Sequence, residues 1–178
     1  PAEHHRPSAF SIGVGIGYSF PTSLETPNIS SVRFRLPTGM TFEPQVRFVN
    51  ASQEIDTGTS TENSVSNIEV GALVRFPLMK RGRVDLELLG ALAVETQNEE
   101  PDAPDSDTTT TGFSAAYGLA VTSWISSHWQ LSLSAINPIV STVKVDQELG
   151  PGTSTVTTAT SYGLVWDPSV FLMVHLYH

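Results

Sequence analysis

Residues 10–20 read FSIGVGIGYSF, and in this stretch every even position is apolar or aromatic while every odd position is serine or glycine. Alternation with a period of two is typical of a β-strand whose two faces meet different environments. Helical periodicity is nearly absent, and the alternation returns in seven later segments. These are residues 32–36, 40–48, 68–76, 84–94, 113–122, 129–145 and 162–176. The sequence therefore predicts an all-β chain of eight strands.

The connections between these segments alternate between short and long. Tight turns are predicted at residues 37–39, 79–82 and 126–128, and longer polar loops at residues 21–31, 55–66, 96–111 and 147–158. This pattern predicts an eight-stranded antiparallel up-and-down barrel whose two ends face different compartments. No domain boundary interrupts it, so we expect residues 1–178 to form one barrel domain with a flexible tail at residues 1–7. The alternation is lost near Asn137 and Pro138, which predicts a β-bulge there.

Composition excludes several classes of protein. The chain has 178 residues with 9 Lys and Arg against 18 Asp and Glu, a net charge of −9. That charge argues against a nucleic-acid binder, which needs a basic surface. The absence of cysteine excludes disulfides, thiol nucleophiles and cysteine-bound zinc. The longest apolar run, residues 88–94, is too short for a transmembrane helix, which needs about 20 residues.

The residues on the polar face of the strands indicate whether that face points into the barrel or towards its surroundings. Many of its positions hold small residues, whereas strand positions that face water usually hold larger polar ones. These small residues are Gly13, Gly15, Gly17, Ser114, Ala116, Gly118, Ala120, Ser132 and Ser134. A barrel of eight strands has an interior only just wide enough for side chains. The small polar face is therefore predicted to line the lumen, and the apolar face to contact lipid in a transmembrane barrel.

Charges of both signs are also on the polar face. The tight hairpins place Arg33 opposite Glu43 and Arg75 near Glu87. An unpaired charge in a narrow lumen would be costly, so we expect these ions to be paired and to plug the lumen. The predicted lumen charge network comprises Arg33, Arg35, Arg47, Arg75, Glu43, Glu69, Asp85, Glu87, Glu95 and Asp167.

Aromatic residues are concentrated towards the strand ends. Amphipathic rings favour the two lipid–water interfaces of a membrane. The predicted interfacial aromatics are Phe10, Phe20, Phe113, Trp124, Trp129, Tyr162 and Tyr177.

The pattern and topology of the whole chain resemble the small eight-stranded barrels of bacterial outer membranes, the group of the OmpA transmembrane domain, OmpX and the opacity proteins. The terminal residues 170–178, VFLMVHLYH, are similar to the C-terminal signal that the barrel-insertion machinery reads, although His178 stands where the family usually has Phe. The resemblance implies a bacterial outer-membrane location, with the tight turns periplasmic and the long loops extracellular. It implies outer-membrane lipids and the insertion machinery as partners.

No motif in the sequence predicts a catalytic, cofactor or metal site. The series Gly13-x-Gly15-x-Gly17 lies inside a strand, whereas a dinucleotide motif opens a helix, so we expect these glycines to make room for Arg33 or Arg35. His175 faces the lumen, where it could meet Ser11 or Ser132, and we expect a hydrogen-bonded structural histidine.

The other histidines and the acidic loop give the same result. His4, His5, His128 and His178 lie at the tight-turn rim, so serines at the opposite rim have no base. The acidic residues 99–107 lack the spacing of a calcium loop. We therefore expect a protein that is not an enzyme.

Three functions remain open at this point. The first is a structural or surface-interaction protein whose lumen is plugged by paired charges, and whose loops at 55–66 and 96–111 contact a protein partner or a larger envelope complex. The second is a small-solute or ion channel of low conductance. The third is a soluble, lipocalin-like ligand-binding barrel, in which the apolar face would point inward.

Overall fold

The computed structural model describes residues 6–20, 26–56, 60–100, 108–148, 154–163, 166 and 168–178. All of its regular structure is β-strand. The strands are β1 (Ser11–Phe20), β2 (Ile29–Arg35), β3 (Thr41–Asp56), β4 (Ser60–Arg81), β5 (Val84–Glu100), β6 (Thr108–Trp124), β7 (Trp129–Glu148), β8 (Ser154–Tyr162) and β9 (Ser169–Tyr177). In the described part of the chain, no helix is long and apolar enough to cross a membrane.

The strands form one antiparallel sheet that closes on itself. Each strand from β1 to β7 pairs with the next, and β9 pairs with both β1 and β7. The first half of β7 pairs with β9, and its second half pairs with β8. Strands β8 and β9 therefore share the eighth position around the barrel. The predicted fold, an all-β, eight-stranded, up-and-down antiparallel barrel, is confirmed.

The last strand differs from the prediction of one continuous segment over residues 162–176. Strand β8 ends at Tyr162, and β9 begins only at Ser169. Gly163 adopts a φ of +142°, which residues with a side chain rarely adopt. Pro168, directly before β9, has no backbone N–H to give to a ladder. The alternation alone could not reveal this break, because the apolar parity is the same on both sides of it.

The strands are longer than the alternation predicted. Strand β3 runs to Asp56 and β4 begins at Ser60, inside the predicted loop 55–66, and the ends of β5 to β8 likewise extend into the predicted loops 96–111 and 147–158. Most residues of these extensions are polar, so the hydrophobic alternation of the spanning segments is weak there. Threonine and valine within them suit extended backbone. The predicted turn 79–82 likewise shortens to Gly82 and Arg83.

The predicted bulge in β7 is confirmed. Ala115 pairs with Val140, but the next residue, Ala116, pairs with Pro138, so Ile139 is left without a partner on β6. The extra residue reverses the parity of β7, which explains why the alternation is lost there.

The outer face of the barrel is apolar and the inner face is polar. Ile12, Val14 and Ile16 are 42%, 56% and 57% exposed, whereas Glu43 and Arg75 are 1% and 2% exposed. A soluble barrel has the opposite arrangement, with its apolar face inside. The outward orientation of the apolar face therefore contradicts the third expectation, a lipocalin-like soluble barrel.

Close packing in the interior gives a direct test of the fold. A Cβ at Gly118, on the inner face of β6, would overlap the carbonyl oxygen of Ala135 on β7. We expect Gly118→Ala to lower the free energy of unfolding by about 1–3 kcal/mol, because the strand backbones must move apart. Guanidinium unfolding of the detergent-folded protein measures this.

The matched control is Gly90→Ala, because a Cβ at Gly90 meets no atom within 4 Å. It is expected to change stability little. Equal effects of the two substitutions would contradict the packing of β6 against β7.

Candidate functional site

The barrel lumen holds the buried polar groups of the protein, and Asp85 organises the end next to the tight turns. Asp85 is fully buried. Its carboxylate lies 2.6 Å from Nη2 of Arg6 and 3.8 Å from Nη2 of Arg35, and it accepts a hydrogen bond of 3.1 Å from Nε1 of Trp124. Arg6 belongs to the segment that we expected to be a flexible tail, and its guanidinium also donates to the carbonyl of Val84. These contacts bring Arg6, Arg35 and Trp124 together around one carboxylate.

Two of the predicted interfacial aromatics are instead part of the lumen. Trp124 and Tyr177 are 0% and 3% exposed. The Trp124 ring lies 5.2 Å from the guanidinium carbon of Arg35, and the Tyr177 hydroxyl donates a 3.0 Å hydrogen bond to Gln130. The prediction was wrong because position parity was ignored. Trp124 has the parity of the inward residues of β6, and Tyr177 that of the inward residues of β9.

The other predicted interfacial aromatics lie on the outer face. They are all at least 40% exposed: Phe10, Phe20, Phe113, Trp129 and Tyr162. Their position at a lipid–water boundary stays a prediction.

A buried ion network around Glu43 occupies the next level of the lumen. The Glu43 carboxylate lies 3.0 Å from Nε of Arg33, 2.5 Å from Nε of Arg75 and 3.2 Å from Nε2 of His175. Arg75 also contacts Glu87, at 3.2 Å. The structure thus brings together both pairs that the hairpins predicted, Arg33 with Glu43 and Arg75 with Glu87. Two guanidiniums and two carboxylates balance in charge, as burial requires.

Neutral residues complete the hydrogen bonds of this network. Arg33 donates to Gln130 at 2.6 Å and to Ser132 at 3.0 Å, and Thr122 donates to Glu87 at 3.1 Å. Two of the small lumen residues that the alternation identified, Ser132 and Ser134, therefore have a second role as hydrogen-bond partners of the arginines.

His175 lies deep in this network but contacts neither Ser11 nor Ser132. Its Nε2 is 2.8 Å from the hydroxyl of Ser31, which is also 2.9 Å from Glu43. A catalytic triad needs the carboxylate on the other ring nitrogen, Nδ1, and in the described part of the chain Nδ1 of His175 has no hydrogen-bond partner. Among the described residues, the Ser31 and His175 pair therefore lacks the carboxylate that orients the base in a triad.

The glycines of β1 make room for β9, not for the arginines that we expected. A Cβ at Gly15 would overlap the His175 ring, and one at Gly13 would lie 3.0 Å from the Tyr177 ring. The prediction was wrong because it considered only the neighbour on β2. Closure places β9 on the other side of β1, in register.

An apolar layer divides the lumen above the Glu43 network. It consists of Ile29, Leu73, Leu89, Ala120, Ile136, Phe171 and Met173. Sequence analysis missed this layer, although Leu73, Leu89 and Met173 could have been recognised as apolar residues at inward positions. Apolar side chains in a narrow lumen exclude water, so this layer separates the Glu43 network from the far end.

Arg47, Glu69 and Glu95 form a third group of charges beyond the apolar layer. Arg47 Nη2 lies 2.6 Å from Glu69 Oε2, and Glu95 accepts a hydrogen bond from the side-chain amide of Asn67. The side chains of Arg47 and Glu69 are 20% and 14% exposed, so this group reaches solvent. Asp167, the tenth predicted charge, lies outside the described residues. The described charges therefore form three groups at different depths, not one network.

The remaining candidates for chemistry are not brought together. His128 is exposed in the turn between β6 and β7, 2.9 Å from the hydroxyl of Ser127, and His4 and His5 lie outside the described residues. Among the residues that the structure describes, no group of three or more His, Asp or Glu could hold a metal ion.

Comparisons with known proteins identify the fold. No family model matches the chain, and no curated protein sequence matches it. Among solved structures, the barrel is similar to a major outer membrane protein from Thermus thermophilus, with a TM-score of 0.55 and 11% identity over 95% of this chain and 98% of that one. CarO of Acinetobacter baumannii gives a TM-score of 0.38 and 12% identity over 94% and 97% of the two chains. The chain thus has the fold of an outer-membrane barrel, while membership of the OmpA, OmpX and opacity-protein group stays a prediction.

The Glu43 network makes a prediction about stability. Glu43→Ala leaves the guanidiniums of Arg33 and Arg75 buried with one partner fewer, so we expect a loss of about 3–5 kcal/mol in the free energy of unfolding. Arg33→Ala and the double variant complete a double-mutant cycle. The double variant should lose clearly less than the sum of the two single losses, because the two residues share an interaction.

The exposed pair Lys144 and Asp146, 4.0 Å apart, is the control for this cycle. Its single variants should change stability little and additively, since exposed ion pairs contribute little. Additive losses at Arg33 and Glu43 would mean that the two side chains do not pair.

Proposed function

We propose that the protein is an integral barrel of the bacterial outer membrane, with a closed lumen and a structural or surface-contact role. The observation that carries this proposal is the orientation of the strands, with apolar side chains outside and paired ions inside. Lipid favours this orientation, because apolar residues contact hydrocarbon and sheet closure satisfies the backbone groups. The likeness in fold to the Thermus protein, which is described as an outer membrane protein, supports the same assignment.

The membrane assignment also predicts which end of the barrel faces the periplasm. Barrels of this class have short turns on the periplasmic side and longer connections on the extracellular side. The turns at 37–39, 82–83 and 126–128 would then be periplasmic, together with Arg6 and the end of β9. The hairpins that join β3 to β4, β5 to β6 and β7 to β8 would be extracellular. Outer-membrane lipids and the barrel-insertion machinery are the partners that this location requires.

Tryptophan fluorescence tests the membrane assignment. The chain has three tryptophans, Trp124, Trp129 and Trp166. We compare two single-tryptophan variants, with Phe at the other two positions, in bilayers that contain brominated lipids. Bromine should quench Trp129, which is 46% exposed on the outer face, much more than Trp124, which is buried in the lumen.

Aqueous iodide is the complementary quencher in the same experiment. It should reach neither residue efficiently if Trp129 contacts lipid. Strong quenching of Trp129 by iodide and none by brominated lipid would contradict the membrane assignment.

The lumen is proposed to be closed to solutes by two successive barriers. One is the balanced ion network around Glu43, and the other is the apolar layer that includes Leu73, Leu89 and Phe171. An eight-stranded interior has little space beyond its side chains. The competing function, a channel of low conductance, would need both barriers to rearrange together.

Planar-bilayer recordings distinguish the closed barrel from the channel. The folded protein should give no resolvable current steps over a range of voltages and salt concentrations. Heat-dependent gel mobility of a parallel sample establishes that the protein is folded. An absence of current then comes from folded protein. Reproducible steps from the folded sample would favour the channel.

The surface-contact part of the proposal is carried by the long hairpins. The nine side chains of β8 are all exposed, so this strand contributes nothing to the lumen. Hairpins that extend past the closed part of a barrel present surface for a protein partner or a larger envelope complex.

A further inference from the structure

A cup-shaped cavity of about 220 Å³ lies beyond the apolar layer, at the end of the barrel opposite the tight turns. Phe171 and Ile136 contribute to its apolar floor, and Arg47, Glu69, Glu95 and Ser114 line its wall. Since a water molecule occupies about 30 Å³ of liquid, the cup has space for a solute of a few heavy atoms. We call this cavity the upper cup.

The charged residues of the upper cup lie at one level on three neighbouring strands. Arg47 of β3 pairs in register with Glu69 of β4, and Glu69 pairs in register with Glu95 of β5. Among the described residues that line the cup, one cation and two carboxylates leave one negative charge in excess. Two like charges directly opposite each other on neighbouring strands are unfavourable. The repulsion between Glu69 and Glu95 is thus unfavourable, and a bound cation would reduce it.

Glu95 is the carboxylate without a counter-ion. Arg47 is engaged with Glu69, and in the described residues Glu95 has only the neutral amide of Asn67 as a partner. Its neighbour on β6 is Gly112, so no side chain covers it from that strand. A Cβ at Gly112 would approach the Glu95 side chain to 3.7 Å, close enough to occupy this space.

We propose that the upper cup binds a small organic ammonium ion. The ammonium group would donate hydrogen bonds to Glu95 and Glu69, and a short hydrocarbon portion would lie on the floor formed by Phe171 and Ile136. A divalent metal ion fits less well. It prefers several oxygen ligands, and in the described part of the chain no three His, Asp or Glu side chains are grouped to hold one, while the guanidinium of Arg47 lies beside the two carboxylates. This site goes beyond the proposed function and does not rest on it, because it needs only the folded barrel.

The test uses the whole chain folded in an uncharged maltoside detergent at pH 7, with n-butylammonium chloride as the probe. Butylammonium should raise the midpoint of thermal unfolding in a saturable way, because a ligand of the folded state stabilises it. Sodium chloride at equal ionic strength, and tetramethylammonium chloride, which has no N–H donor, should not.

Two variants locate the site. Glu95→Gln removes the unpaired charge and should weaken butylammonium binding by about tenfold or more, since the ammonium ion then meets a neutral amide oxygen instead of a carboxylate. Glu99→Gln, on the same strand and exposed, changes net charge equally and should bind as the wild type does. Circular dichroism and heat-dependent gel mobility establish that both variants fold.

Three results would overturn the proposal. Equal stabilisation by sodium chloride would mean that butylammonium acts only by screening charges. Equal stabilisation by tetramethylammonium would mean that no hydrogen-bond donation is involved. An unchanged response of Glu95→Gln would place any binding outside the upper cup. None of these results bears on the membrane assignment, which the tryptophan experiment tests separately.

Discussion

The width of an eight-stranded barrel constrains every inward position of this protein. The interior has space for side chains and little else, so each large inward residue needs a small one opposite it. Gly13 and Gly15 of β1 face Tyr177 and His175 of β9 in this way, and a Cβ at either glycine would approach the ring too closely. The same constraint excludes bulk water, and a charge in the lumen must then find its partner among the neighbouring side chains.

The amount of solvent at each depth explains how the three groups of charges differ. Glu43 and Arg75 are fully buried, and the charges of their network are balanced. Serine and threonine hydroxyls and the side-chain amide of a glutamine complete its hydrogen bonds. Arg47 and Glu69 reach solvent, and their group carries an excess negative charge. Water can stabilise that excess at the open end, whereas the same imbalance at Glu43 would destabilise the barrel. The buried balanced network and the proposed binding site are thus separated along the barrel axis, with the apolar layer between them.

Position parity explains how much of this arrangement the sequence could predict. A period of two identifies strands, their inward faces and the charges on those faces, and hairpin register then pairs Arg33 with Glu43. Trp124 and Tyr177 were misplaced only because residue type was given more weight than parity. The apolar layer could also have been predicted, since Leu73 and Met173 lie at inward positions.

Other features have no counterpart in the alternation. Most residues in the extensions of β3 to β8 are polar, so the hydrophobic alternation of the spanning segments is weak there. The partners of His175 and the glycines of β1 depend on closure, which brings β9 beside β1 although they are far apart in the sequence.

The upper cup depends on the register of three strands, β3, β4 and β5, and on Gly112 of the neighbouring strand β6. Pairwise hairpin reasoning treats Glu69 and Glu95 only as two more lumen carboxylates. The direct opposition of these two carboxylates, and the space beside Glu95, arise only when β4, β5 and β6 are aligned in one sheet, and that alignment is the basis of the cation site that we propose.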